Sequence, residues 1–370
     1  MRNKIVVGAA VLAIAAVALT GCSTGRSGGT TSTGIQKGDT IGVALPAKTS
    51  QNWVLAKAAF EKAITAAGFK ADVQYASATN TVPDQQNQIS SMTTKKDKVL
   101  IIAAQDGSQL GSQVKAAKAA GETVIAWDRN ILNTKDVDYY VAFNNYKVGQ
   151  LQANALLTGM KARKASGPYN IEIFAGASTD ANATVFYNGA MSVLKPLIAD
   201  GSVKVASGQT TFQQVQTDGW LAQNAQTRMT NLLTKYYAKG QELDGVLSPN
   251  DTLGDAIITA TQQAGLKVPI VTGQDSQTSA IPLIMKGIQY STIYKNTDEE
   301  AAAAVKLIVE LSKGEKVAGL VTNDATNSGN GSETVPYVPL TPILVTKDNA
   351  VDAYSNNPTL EALAKAGAAG

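Results

Sequence analysis

The 370-residue sequence has no histidine. That absence removes Ser-His-Asp and Cys-His nucleophile systems, histidine general bases and nearly all histidine-based zinc sites. Paired carboxylates of the glycosidase kind survive it. Cysteine is almost lacking as well. The sole Cys22 leaves no internal disulfide possible, so stability must come from the core. An excess of one charge is also missing: with Arg2 and Lys4 set aside as part of a leader, 30 basic residues face 29 acidic ones. So even a balance gives no electrostatic case for nucleic acid as a partner. No GxGxxG or GxxxxGK[ST] stands between a strand and a helix, so no phosphate cradle and no nucleotide cofactor are indicated. The loop from Asp324 has glycine at its sixth place, as an EF-hand does. Its twelfth residue is Val335 and the carboxylates at three and five are missing, so no metal is expected there.

What is present begins with the leader. MRNK supplies a positive start, Ile5 to Leu19 an apolar run too short for a membrane-spanning helix, and Ala and Gly crowd its end, as in an export signal. Leu19-Thr20-Gly21-Cys22 looks like the lipobox of bacterial lipoproteins, in which the leader is cut before the cysteine and the sulfur takes a diacylglycerol. Residues 1–22 are therefore expected to be a lipoprotein signal peptide ending at lipidated Cys22, and the protein to be extracytoplasmic and anchored to the membrane by lipid. Residues 23–37, rich in Gly, Ser and Thr, read as a flexible tether.

Over the whole chain, 44% hydrophobic and 16% charged residues suffice for one large or two medium cores. Apolar β-branched runs alternate with longer stretches of helical period, the mark of a parallel α/β sheet. Strands are expected at 40–45, 73–75, 99–103, 123–127 and 139–143, with helices at 53–67, 82–94 and 108–120 and Gly68 and Gly121 ending two of them. The alternation restarts near residue 145, with strands at 170–174, 203–206, 245–247, 270–272 and 289–294. A helix at 298–311 and one strand over 337–345, with prolines at an edge, complete the chain. The pattern predicts two doubly wound parallel-sheet lobes joined by three crossings, near residues 144, 294 and 338. The N-terminal lobe would hold 38–144 and 295–338, the C-terminal lobe 145–294 and 339–370.

Polar clusters follow the strands. Lys48 to Trp53 come after IGVALP, Asp128-Arg129 after VIAW, and Ser178-Thr179-Asp180 with Asn182 after IEIFAGA. Asn250 and Asp251 follow DGVLSP, Gln274 and Asp275 follow IVTG, and Lys295 follows YSTIY. In open parallel sheets the crevice beyond the carboxyl ends of the strands is where ligands bind, so two facing lobes would bring these clusters together. Planar and charged side chains with fixed donors and acceptors suit the vicinal hydroxyls of a neutral polyol. Trp53 and Trp220 lie beside clusters and could cover the apolar face of a sugar ring; each alone reads equally as a half-buried packing residue.

From about residue 38 to about residue 348 the sequence resembles the substrate-binding proteins of bacterial sugar ABC importers, of the xylose-binding and multiple-monosaccharide-binding type I periplasmic kind. The resemblance is carried by VIAWDRN, YYVAFNNYKVGQLQA, GPYNIEIFAGASTDANA, FYNGAMSVLKP, VLSPNDTLGDAI, VTGQD and YSTIYKNT. It implies a monosaccharide ligand such as xylose, glucose or galactose, delivery to an ABC permease and its ATPase, no chemical step, and a monomer. It implies further that Asp128, Arg129 and Lys295 bond the sugar from one lobe, that Asp180, Asn182, Asn250 and Asp275 do so from the other, and that Trp53 and Trp220 sandwich the ring. The family usually places a sugar-reaching arginine before the first tryptophan; here that residue is Asn52, a departure that bears on which sugar is preferred.

Three other readings compete. A lipid-anchored glycan hydrolase with two carboxylates is permitted by composition, but the acids stand among Asn, Arg and Lys as in a binding net. A sugar sensor presenting its ligand to a membrane receptor is compatible with the receptor reading. The effector domain of a sugar-responsive repressor shares the fold, and the export leader and the lack of an N-terminal helix-turn-helix argue against it.

Overall fold

A computed structural model describes residues 34–48, 50–324 and 334–369. The expected signal peptide, Cys22, most of the tether and the loop after Asp324 lie outside the described residues.

The first lobe is built from β1 (Thr40–Leu45), α1 (Gln51–Ala66), β2 (Lys70–Tyr75), α2 (Thr81–Lys95), β3 (Val99–Ile102), α3 (Gly111–Ala119), β4 (Thr123–Trp127) and β5 (Tyr139–Phe143). The second follows with α4 (Asn145–Arg163), β6 (Tyr169–Ile173), α5 (Ala181–Ala199), β7 (Val203–Val205), α6 (Phe212–Val215), α7 (Ala222–Leu232), β8 (Gly245–Leu247), α8 (Asp251–Gln263), β9 (Ile270–Val271), α9 (Ala280–Met285) and β10 (Ser291–Tyr294). The chain then returns to the first lobe through α10 (Thr297–Ser312), β11 (Val321–Thr322) and β12 (Pro336–Leu340). It ends in the second with β13 (Ile343–Thr346), α11 (Ala350–Ala353) and α12 (Pro358–Ala368).

Each main sheet is parallel through its middle. The first runs β11-β12-β5-β4-β3-β1-β2, with only the two-residue β11 antiparallel, and the second runs β7-β6-β8-β9. Successive residues of a strand point to opposite faces, and the cores follow that alternation. Ile41 and Val43 pack with Phe60 of α1 and Ile308 of α10 on one side, while Ala44 and Leu100 pack with Ile89 of α2 and Val114 of α3 on the other. In the second lobe Ile171 and Ile173 meet α4 and α5, and Val246 and Val271 meet α7 and α8. Gly68 and Gly121 end α1 and α3 as expected. Gly68 N–H and Phe69 N–H bond back to Thr65 and Ile64, and Gly121 and Glu122 repeat the pattern on Lys118 and Ala117. Helices α4 and α5 cross at Gly149 and Gly189, where a Cβ on either would strike a facing carbonyl, of Phe186 or Tyr146.

The single strand expected over 337–345 is two. Thr341 and Pro342 interrupt it, so β12 pairs with β5 in the first sheet and β13 pairs antiparallel with β10. The third crossing therefore lies between Leu340 and Ile343, slightly beyond the expected 338. Pro339 pairs in register with Ala142 at a place beyond the reach of short β11, where no ladder needs its missing N–H on that side. Strand β10 stays beside β9 through Tyr290 N–H to Val271 O and Asp275 N–H to Ile293 O, although its ladder is with β13.

Two buried glutamines tie down the strand ends that face the other lobe. Gln85 of α2 donates to the carbonyls of Ala103 and Ala44 and accepts from Gln105 N–H. Gln152 of α4 donates to Pro249 O and Gly273 O, both at 3.0 Å. Each sets the loops after two strands at once.

Candidate functional site

The strand ends of both lobes converge on one cavity of about 50 Å³. Asn52, Trp53, Asp128, Arg129, Asp180, Asn182, Trp220, Asn250, Asp275 and Lys295 all line it, so these ten candidates from the sequence are brought to the same place.

Local backbone geometry explains how. After β4 the chain reverses in a three-residue turn closed by Arg129 N–H to Trp127 O at 2.6 Å, with Asp128 at its centre at φ +56°. A positive φ at the centre of such a turn is uncommon and strained for a residue with a side chain. It sends Asp128 and Arg129 in different directions. Asp128 meets Lys295, Oδ2 to Nζ at 3.7 Å, and Lys295 also lies 3.4 Å from Asp275 Oδ1. Arg129 instead crosses to the second lobe, its Nε 3.1 Å from Asp180 Oδ2, while its guanidinium sits 4.9 Å from the centre of the Trp53 ring. Asp180 and Asn250 are N-caps of α5 and α8, accepting from Asn182 N–H and Leu253 N–H, so each fixes a helix start and presents its remaining polar atoms to the cavity.

The Asp128 carbonyl is held from both lobes. Asn182 Nδ2 donates to it at 2.9 Å, and the Tyr140 hydroxyl lies at the same distance. Other polar links between lobes are Gly107 N–H to Thr179 O and Gln51 Oε1 accepting from Thr278 N–H.

Charge and burial work against each other here. Burial pushes the Asp180 carboxyl up, opposed by Arg129 and the Asn182 N–H. Burial raises Asp275 too, against the pull of Lys295. For Lys295 burial disfavours the ammonium, yet Asp275, Asp128, Glu300 and Asp180 together hold its pKa above the ordinary lysine value. Behind them Glu300 of α10 is buried with its Oε1 unpartnered; burial first, then Asp128, lifts its pKa well above the usual carboxylate range.

The two tryptophans differ in setting. Trp53 is 6% exposed and belongs largely to the first-lobe core, edge-on to Trp127 at 6.3 Å. Trp220 has φ +57°, lies across Gly176 so closely that a Cβ there would collide with its ring, and donates from Nε1 to Asp180 Oδ2 at 3.1 Å. Gly176 is the residue that lets the indole approach this near.

The candidate set omitted Ser50, Phe186, Thr252 and Gln274, which also line the cavity. Phe186 lies one helical turn beyond Asn182 on α5, a spacing that places both on one face; its ring is 5.6 Å from Lys295 Nζ. Gln274 donates through Nε2 to Pro249 O while its buried Oε1 has no partner, which leaves an acceptor at the cavity wall. Asp251, noted beside Asn250, is turned away from the cavity: it accepts from Gln277 N–H, Gln289 and Thr292, and burial pushes its pKa up to about 8.

Residues 41–316 match the family model described as "Periplasmic binding protein domain". The chain is 42% identical over 315 residues to the multiple sugar-binding periplasmic receptor ChvE of Rhizobium radiobacter, covering 84% of this chain and 87% of that one. It is 34% identical over 313 residues to the D-xylose-binding periplasmic protein of Escherichia coli K12, covering 84% and 88%. Among solved structures, an ABC transporter solute binding protein from Clostridium phytofermentans with bound β-D-glucose superposes with a TM-score of 0.80 at 36% identity, covering 87% of this chain and 99% of that one. With the matched region running from β1 to beyond α10, and with two α/β lobes meeting at a polar, tryptophan-bearing cleft, the chain belongs to the periplasmic binding protein family.

Proposed function

We propose that this protein is an extracytoplasmic receptor that binds an aldose in the cleft between its lobes and delivers it to an ABC import permease without altering it. The observation that carries the reading is the composition of the cavity wall. Three carboxylates, each within 4 Å of a cation, stand with the free acceptor of Gln274 and two tryptophans on a single small cavity. Fixed acceptors and bidentate groups suit ring hydroxyls, and an indole face suits the C–H side of a pyranose. Relatives described as sugar receptors support the same ligand class.

In this reading Asp128, Arg129, Asp180, Asn182, Asn250, Asp275 and Lys295 bond hydroxyls, Trp220 and Trp53 flank the ring, and Asn52 borders it. Ligand bonded to both lobes favours their closed arrangement, which the hinge of three crossings permits. A glycan hydrolase is disfavoured because Asp128, Asp180 and Asp275 are all engaged by Lys295 or Arg129. The deciding experiment is calorimetry of the purified protein against xylose, glucose, galactose and other free aldoses, with a reporter glycoside alongside. Saturable binding of an aldose without turnover is expected; turnover, or no binding by any aldose, overturns the proposal.

We also propose that Cys22 carries the lipid anchor and that the protein acts as a monomer at the membrane surface. Cys22→Ser is expected to release it from membranes or leave the leader uncut, and a processed, membrane-bound variant would contradict the anchor.

A further inference from the structure

The ligand cavity has a larger neighbour. A second cavity, of about 260 Å³, adjoins the first across Asn52, Asp275 and Lys295, which line both. It lies between the start of α1 and the start of α12, and Lys295 to Asp298 close its floor. We propose that it is a second saccharide subsite, so that the protein takes a disaccharide whose first unit occupies the cleft described above; the inference rests on that reading of the cleft.

The lining supports a sugar unit in particular. Asn52, Asp298 and Thr359 border the cavity, and none of their side chains hydrogen-bonds to a protein group among the described residues. They are donors and acceptors left free for hydroxyls. Interleaved with them are the apolar surfaces of Leu55, 46% exposed, and Pro358, which suit C–H faces. Lys295 and the positive ends of α10 and α12 are set against Asp275 and Asp298, so the cavity selects neither sign of charge and fits a neutral ligand. Asn52 sits at the junction with a short side chain, leaving room for a glycosidic link where a longer residue would form a wall.

The test is calorimetry on the intact protein with the best-bound aldose and a panel of its α- and β-linked disaccharides, repeated on Thr359→Trp, which would fill the second cavity from its far side. At least one disaccharide is expected to bind more tightly than the parent aldose. Thr359→Trp should weaken that disaccharide by about tenfold or more while changing aldose affinity by less than about threefold. Aldose binding with no disaccharide binding overturns the subsite and leaves the receptor reading intact. Equal effects of Thr359→Trp on both ligands also overturn it, and failure of every sugar overturns both readings.

Discussion

Replacing Lys295 with methionine isolates the electrostatic keystone of the cleft. The lysine is 8% exposed and its Nζ serves Asp128 at 3.7 Å and Asp275 at 3.4 Å, with Glu300 behind. Methionine keeps the unbranched stem and removes only the ammonium. Two largely buried carboxylates then lose their shared cation, and since breaking a fully buried pair costs about 3–5 kcal/mol and an exposed pair under about 1 kcal/mol, the loss here should fall between, at about 2–4 kcal/mol. The pH dependence follows from the same groups. Burial already raises Asp275, and removing Lys295 takes away the charge that opposes the rise. A carboxyl raised in the folded state keeps a proton that the unfolded chain releases, so stability falls as pH climbs from the ordinary carboxylate value through the folded pKa. Urea unfolding without sugar should therefore show wild type and Lys295→Met close together near about pH 4 and farthest apart above about pH 7. A deficit below about 1 kcal/mol, or one that does not change with pH, would refute the account.

Calorimetry on Asp128→Ala, Arg129→Ala and Trp220→Ala with the best aldose should show losses of about 1–3 kcal/mol each, since every truncation leaves a partner or hydroxyl unpaired; undiminished affinity in all three would place the ligand elsewhere. Trp220→Ala should also lower the melting temperature, because its indole packs on both second-lobe cores and bonds Asp180. Gly149→Ala should destabilise by at least about 1–3 kcal/mol, read by denaturant midpoint, because the new methyl meets a backbone carbonyl across the α4–α5 crossing and not a movable side chain. Asp251→Asn should gain on wild type between about pH 4 and about pH 8: the wild-type carboxyl, raised by burial to about 8, loses stabilisation across that window and the amide does not. A pH-independent difference between the two would disprove the assignment.

Most strands of the two main sheets were legible because parallel strands buried on both faces, such as β1, β3 and β4, read as continuous apolar runs, and Gly68 and Gly121 punctuate them; the exposed two-residue β11 carried no such signal. The cleft was legible for a related reason: six polar clusters stood at the same ends of those runs. What followed from three-dimensional pairing was not. Lys295 and Asp251 each look like exposed loop charges in isolation, yet both are buried, one between two acids and one behind the cavity. Gln85 and Gln152 carry no sequence signal of their role, because nothing local reveals that carbonyls at strand ends need their amides. Phe186 stands within α5, away from the strand ends at which the polar clusters lie. The split of 337–345 was foreshadowed only by Pro342, since both halves keep a β-branched or alternating pattern and only their partners differ.

Asp128 and Asp275 both hold positive φ, +56° and +89°, two of six such non-glycine residues among those described. The left-handed backbone costs a residue with a Cβ on the order of 1 kcal/mol or more, and glycine escapes that cost. Because Lys295 has two acidic partners, either one can be lost without stranding it. A laboratory selection for heat resistance alone would therefore enrich glycine at 128 or 275, and its winners would melt later while, on the proposed reading of the cleft, failing to recognise their ligand. Thermostability hits in this protein should draw the outline of the cleft, and an engineer pursuing a robust biosensor scaffold would do well to freeze those two positions first.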